Sequence, residues 1–110
     1  MYIYHITDTN TWAEASQKKS YDYCSLKTEG FIHCSTDQQY VDVANRLFKG
    51  RKDLLLLRLT EQDISSKVVY ENLEGGANQF PHIYGPINLD AVKEIIEFKP
   101  SESGSFESVH

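Results

Sequence analysis

The sequence predicts a single compact α+β domain in which a mixed or antiparallel sheet carries two packed helices. Three observations lead there. The chain has 110 residues, a common size for one domain and too short for two independent cores. Its composition, 40% hydrophobic and 25% charged with seven Tyr, five Phe and one Trp, supports a buried core without disulfide or metal staples. Its two helix-like stretches come early and most strand-like runs come late, so the regular alternation of a doubly wound parallel sheet is missing.

Tyr2 to Thr7 alternates as a strand, with Tyr2, Tyr4 and Ile6 on one face and Ile3, His5 and Thr7 on the other. Thr11 and Glu14 have capping-box spacing and open a short helix over Trp12 to Lys19; Ser20 to Lys27 has no clear period and reads as loop. Phe31 to Ser35 is a second strand, with Phe31, His33 and Ser35 opposite Ile32 and Cys34. Thr36 and Gln39 repeat the capping pattern before Tyr40, Val41, Ala44, Leu47 and Phe48 recur at helical spacing, and Gly50 stops that helix.

Leu54 to Leu59 is almost continuously apolar, as befits a strand buried on both faces. Thr60 to Ser66 is a polar turn anchored by Ile64, and Val68 to Asn72 is a strand with Val68, Tyr70 and Asn72 opposite Val69 and Glu71. A Gly75-Gly76 loop follows. The prolines of Phe80-Pro81-His82-Ile83-Tyr84-Gly85-Pro86 require extended or turning backbone. Asn88 caps a brief turn before a last strand over Ala91 to Phe98. Beyond Pro100 the polar, Ser-rich residues read as a tail, so the domain is expected over 1–99 and disorder over 100–110.

Eleven Lys and Arg against sixteen Asp and Glu give a net charge of −5, which argues against a broad electrostatic grip on nucleic acid. The longest aliphatic run, Leu54 to Leu57, is far below a bilayer span, and the N-terminus has no basic region ahead of an apolar stretch, so a cytoplasmic location is expected. Cys24 and Cys34 are too few for a disulfide framework and lack zinc-finger spacing; reduced thiols and no metal are expected.

The residues that could carry chemistry begin with a repeated His-x-Ser/Thr shape, His5-Ile6-Thr7 and His33-Cys34-Ser35. Were the two strands neighbours, both imidazoles and both hydroxyls would line one polar pocket; the alternative is a pair of half-buried histidines satisfied by backbone carbonyls. Glu71 is the third candidate, able to stabilise developing positive charge or orient a nucleophile, with Glu74 as a substitute and a solvated strand face as the alternative. His82 and Tyr84 lie in a proline-stiffened aromatic segment that could stack on a planar ring or simply plug the core. Arg46, Lys49, Arg51 and Lys52 cluster at a helix end, where a dipole role competes with phosphate contact. Cys34 and His33, as strand neighbours, point to opposite faces, which argues against a thiolate–imidazole pair. No Gly-rich phosphate loop or nucleophile elbow is present.

Ile3-Tyr4-His5-Ile6-Thr7, Glu29-Gly30-Phe31-Ile32-His33-Cys34-Ser35-Thr36 and Phe80-Pro81-His82-Ile83-Tyr84-Gly85-Pro86 resemble the DUF952 family of small bacterial and plant proteins, over most of positions 2 to 98. That family is in turn similar to the ADP-ribosyltransferase fold, in particular to the catalytic half of the NAD-dependent RNA 2′-phosphotransferases, with their Tyr-His-Gly-Thr strand followed by a His-x-His-x-Ser strand. The resemblance implies that His5 bonds the nicotinamide-side ribose and His33 lines the same cleft, with Glu71, Glu74 or the His82 and Tyr84 segment as third element. Thr7, Ser35, Thr36, His82 and Tyr84 would then contact ligand. Ile6 stands where those enzymes have Gly, and Phe31 where they have the first His. With a charge of −5, these departures turn the expectation from RNA toward a small nucleotide.

The expected function is thus an ADP-ribosyltransferase-like transferase that binds NAD or a related nucleotide and cleaves or transfers at its glycosidic bond. The alternative is a non-catalytic module that keeps the pocket for a small ligand or a protein partner. A metal site on His5, His33 and His82 is the least supported reading.

Overall fold

Antiparallel pairing accounts for every sheet contact in the structure, a computed structural model that describes residues 2–23, 25–72 and 78–109. The central strand is β4 (Leu54–Thr60), flanked by β1 (Tyr2–Asp8) and β8 (Val92–Phe98). Its unbroken leucines suit this position, because it feeds a core on each side. Leu57 and Leu59 join Ile3 in one core; Leu54 and Leu56 join Tyr4 and Ile6 in the other.

A second three-stranded sheet has the order β3 (Ile32–His33), β6 (Phe80–Tyr84), β5 (Lys67–Glu71). Ile32 pairs with Ile83, which pairs with Val68, and these inner-face side chains pack on the first core. The opposite face carries Phe31, His33, His82, Tyr84 and Glu71, because side chains alternate along a strand. The sheets meet at one isolated bridge, where Tyr4 and Ser35 exchange backbone hydrogen bonds of 2.7 Å. β1 and β3 therefore belong to different sheets, and the neighbouring strands expected from sequence reduce to this bridge.

Helix α1 (Thr9–Lys18) starts earlier than the capping-box spacing suggests. Asp8 is its cap: one carboxylate oxygen accepts from the Thr11 amide at 2.7 Å and the other from the Thr11 hydroxyl at 2.9 Å. Where a loop is expected, Ser20–Tyr21 forms β2, paired with β7 (Ile87–Asn88), and Ser25–Thr28 forms a one-turn helix α2. A third helix is thus added to the two expected. Helix α3 (Tyr40–Leu47) is preceded by half of the predicted capping box, with Gln39 Oε1 accepting from the Thr36 amide at 3.0 Å.

The stretch beyond Pro100 does not fray over its described residues. Phe106 is buried among Tyr40, Ala44 and Phe98, and Asn45 holds its backbone from both sides, Nδ2 donating to the carbonyl at 3.1 Å and Oδ1 accepting the amide at 2.6 Å. One aromatic anchor in a polar stretch outweighs the composition that predicts disorder. The radius of gyration, 13.3 Å, is that of a compact domain of this length. Among the described residues no helix is long and apolar enough to cross a membrane.

Candidate functional site

The outer face of the β3–β6–β5 sheet opens into a cavity of about 650 Å³, closed by the edge of β1 and by one side of α3. Register brings the polar wall together. His33 lies directly opposite His82 across the β3–β6 pair, and the rings are 5.3 Å apart, edge to face. Glu71 reaches His82 diagonally across β5–β6, and Nδ1 of His82 donates to Glu71 Oε2 at 2.9 Å. The Tyr84 hydroxyl donates to the same oxygen. These two donors hold the Glu71 carboxyl below the ordinary carboxylate range, the tyrosine contributing more. Its other oxygen has no partner among the described residues.

Each histidine is backed by a carboxylate. His33 Nε2 bonds Glu29 Oε2 at 2.5 Å across one turn of chain, with about half of each side chain exposed. The His82 side chain is 6% exposed and stacks on Phe31 with ring centroids 4.2 Å apart. With Nδ1–H committed to Glu71, a neutral His82 presents Nε2 as an acceptor. Tyr4, Tyr23, Phe31, Phe48 and Phe80 make the aromatic part of the cavity wall. Among the described residues Arg46 on α3 is the single Lys or Arg lining it, and it also lines a smaller adjoining cavity of about 290 Å³ with Thr36, Asp42 and Asn78.

His5 does not join this group. The residue borders the cavity, but it is buried and its ring is held by protein groups: Nδ1 donates to the His33 carbonyl at 2.7 Å and Nε2 is 2.7 Å from the Tyr21 hydroxyl. Burial lowers its pKa to about 4, so the ring is neutral and Nε2 accepts the Tyr21 proton. Thr7, 2.8 Å from Tyr21, completes the buried chain. His5 and Thr7 thus face Tyr21, while His33 and Ser35 face the cleft. Of the two His-x-Ser/Thr pairs, His5, His33 and Ser35 line one cavity and Thr7 does not, but the His5 ring nitrogens are both engaged by protein groups.

Of the other expected residues, Glu71 and His82 converge with His33, Tyr84 supports them from the rim, Ser35 lines the main cavity and Thr36 the smaller one. Glu74 lies outside the described residues. Cys34 points into the core, where burial pushes its thiol up, as strand alternation from His33 requires. No cluster of three His, Cys, Asp or Glu suited to a metal, the His5, His33 and His82 set included, occurs among the described residues. Of the cationic cluster, Arg51 is taken by Asp53 at 2.6 Å. Sequence reasoning missed Glu29 as a partner of His33. Its signal was the spacing, four residues before the histidine and one before a positive-φ Gly30 that turns the chain back.

The crystal structure of protein CC0527 from Caulobacter crescentus superposes with a TM-score of 0.87 at 25% identity, covering 97% of this chain and 94% of that one. A double-methionine variant of CC0527 matches equally well. The solution structure of CC0527 gives 0.79 at 25% identity, over 96% and 91%. No curated protein matches the chain. The family described as protein of unknown function, DUF952, matches residues 6–95, from the last residues of β1 into β8, so the chain belongs to the DUF952 family.

Proposed function

We propose that the chain binds NAD or a related nucleotide in the cleft over the β3–β6–β5 sheet and acts at its glycosidic bond. The observation that carries this reading is Glu71: an ionised carboxylate with one oxygen fixed by His82 and Tyr84 and the other open, beside an aromatic-walled cavity. A cavity of about 650 Å³ lies in the range that buries a small ligand, and Phe31, Tyr23 and Phe80 offer flat apolar surface to a heteroaromatic ring. The similarity to ADP-ribosyltransferases supplies the choice of NAD.

In this reading the bond between the ribose C1′ and the nicotinamide nitrogen breaks, and its electron pair neutralises the ring nitrogen. Positive charge develops on the ribose, and the open Glu71 oxygen stabilises it. A water or hydroxyl acceptor then adds to C1′ and gives up its proton to His33, whose ring is exposed and backed by Glu29. Tyr84 and His82 keep Glu71 ionised and aimed, since both bond the carboxylate form.

Histidine ring resonances and nicotinamide release test this together. Millimolar NAD is expected to shift the His33 and His82 rings, and Glu71→Gln is expected to slow nicotinamide release about 100-fold with little change in binding. Unmoved rings, or release indifferent to Glu71→Gln, would sink the reading.

One observation favours the non-catalytic alternative. His5, which the resemblance assigns to the ribose, has both ring nitrogens occupied by protein groups. Ring shifts on NAD addition without any release of nicotinamide would select a binding module.

A further inference from the structure

The two cavities share Val43, Arg46 and Phe80, so they adjoin along one side of α3. Their linings differ in chemistry. The larger is aromatic with the His33, His82 and Glu71 wall; the smaller is lined by Thr36, Gln38, Gln39, Asp42 and Asn78. Where they join stands Arg46, with no ion pair or hydrogen bond among the described residues. In a chain of net charge −5, with Glu29, Glu71 and Asp42 around the same space, this unpaired guanidinium is the one Lys or Arg side chain lining either cavity among the described residues, and it would attract an anion.

We propose that Arg46 is an anion subsite that makes this cleft selective for ligands with a pyrophosphate between two halves. This inference rests on the nucleotide reading and narrows it to dinucleotides. The ring-bearing half would occupy the larger cavity and the phosphates would sit at Arg46. In the smaller cavity the Asp42 carboxylate and the Gln38 and Asn78 amides suit the hydroxyls of a second sugar and disfavour a further phosphate. Gln39 gives that cavity a fixed wall, because Oε1 accepts from Thr36 and Nε2 donates to the Gln79 carbonyl at 2.9 Å. The Asp42 charge also explains why a free phosphate would not settle deeper than the junction.

Three ligands that share one ring half separate the contributions: nicotinamide riboside, nicotinamide mononucleotide and NAD carry no phosphate, one phosphate and a pyrophosphate. Calorimetric titration of the full chain is expected to show affinity rising in that order. Arg46→Gln should weaken NAD about 10- to 100-fold, leave the riboside within about twofold, and be partly rescued in Arg46→Lys, which keeps charge but loses the fork. Equal loss for riboside and NAD would mean that Arg46 merely holds α3 in place, and unchanged NAD affinity would mean that it meets no phosphate; either overturns the proposal. Inorganic pyrophosphate separates this idea from the one beneath it. Arg46-dependent binding of pyrophosphate with no response to any nicotinamide ligand keeps the subsite and removes the NAD reading, whereas failure of all four ligands removes both.

Discussion

The His5 imidazole donates from Nδ1 and accepts at Nε2 in a site with 3% of its surface exposed, so its protonation would place a charge inside the first core. Burial lowers its pKa to about 4 in the folded chain, against about 6.5 when unfolded. Between those values the unfolded chain binds the proton and the folded chain does not, so stability falls as pH drops from about 6.5 to 4 and is flat with respect to this group outside that window. The full difference is about 3 kcal/mol. Denaturant unfolding of wild type and His5→Gln across that range should show the wild-type slope vanishing in the variant. A parallel slope in both would assign the pH dependence elsewhere. The sequence pointed to His5 through its His-x-Thr shape, and the polar environment is there, but its partner is Tyr21 from a strand of two residues that no periodicity could announce. His33 and Glu71 were legible as candidates because strand alternation fixes which face they share. That this face is the outer one depends on β3 pairing with β6 some 50 positions later, beyond the reach of local pattern.

At the scale of elements, long periodic segments declared themselves and short ones did not. The leucines of β4 and the apolar spacing of α3 carry enough residues for a period to be read; β2, β7 and α2 have two to four residues each, too few to show one. The cap of α1 shifted to Asp8 because a carboxylate at that position satisfies both the amide and the hydroxyl of Thr11. The turn from β6 into β7 makes the sharpest local demand. Gly85 there has φ of +154°, and a Cβ on it would overlap Ser66 Oγ and come within 2.9 Å of Ser66 Cβ. Ser66 cannot easily yield, since its hydroxyl donates to the Pro86 carbonyl at 2.7 Å. Gly85→Ala is therefore expected to cost about 1–3 kcal/mol by chemical denaturation, with partial recovery in Gly85→Ala combined with Ser66→Gly. Full stability in the single variant would show that the turn has room. Since β6 carries His82 and Tyr84, the same variant should also disturb the Glu71 cluster, seen as a changed His82 ring resonance.

On the scale of the whole molecule, the chain end and the cleft are joined through α3. One side of this helix packs Tyr40 and Ala44 into the second core, where Phe106 closes over them; the other presents Val43 and Arg46 to the two cavities. Asn45 grips the Phe106 backbone, and the Val109 amide donates to the Tyr40 hydroxyl at 3.0 Å. A segment whose composition predicts disorder thus acts as a strap, because the lone phenylalanine buries enough apolar surface to order its polar neighbours. Phe106→Ala should lower unfolding stability by about 3 kcal/mol, since a fully buried aromatic leaves a cavity bounded by Phe98, Tyr40 and Ala44. A loss below about 1 kcal/mol would mean that the strap lies on the surface without packing. Loosening α3 from that side also frees its opposite side, so the same variant should weaken whatever ligand engages Arg46 while leaving the His5 ring, held in the other core by Tyr21 and the His33 carbonyl, with its resonance unchanged.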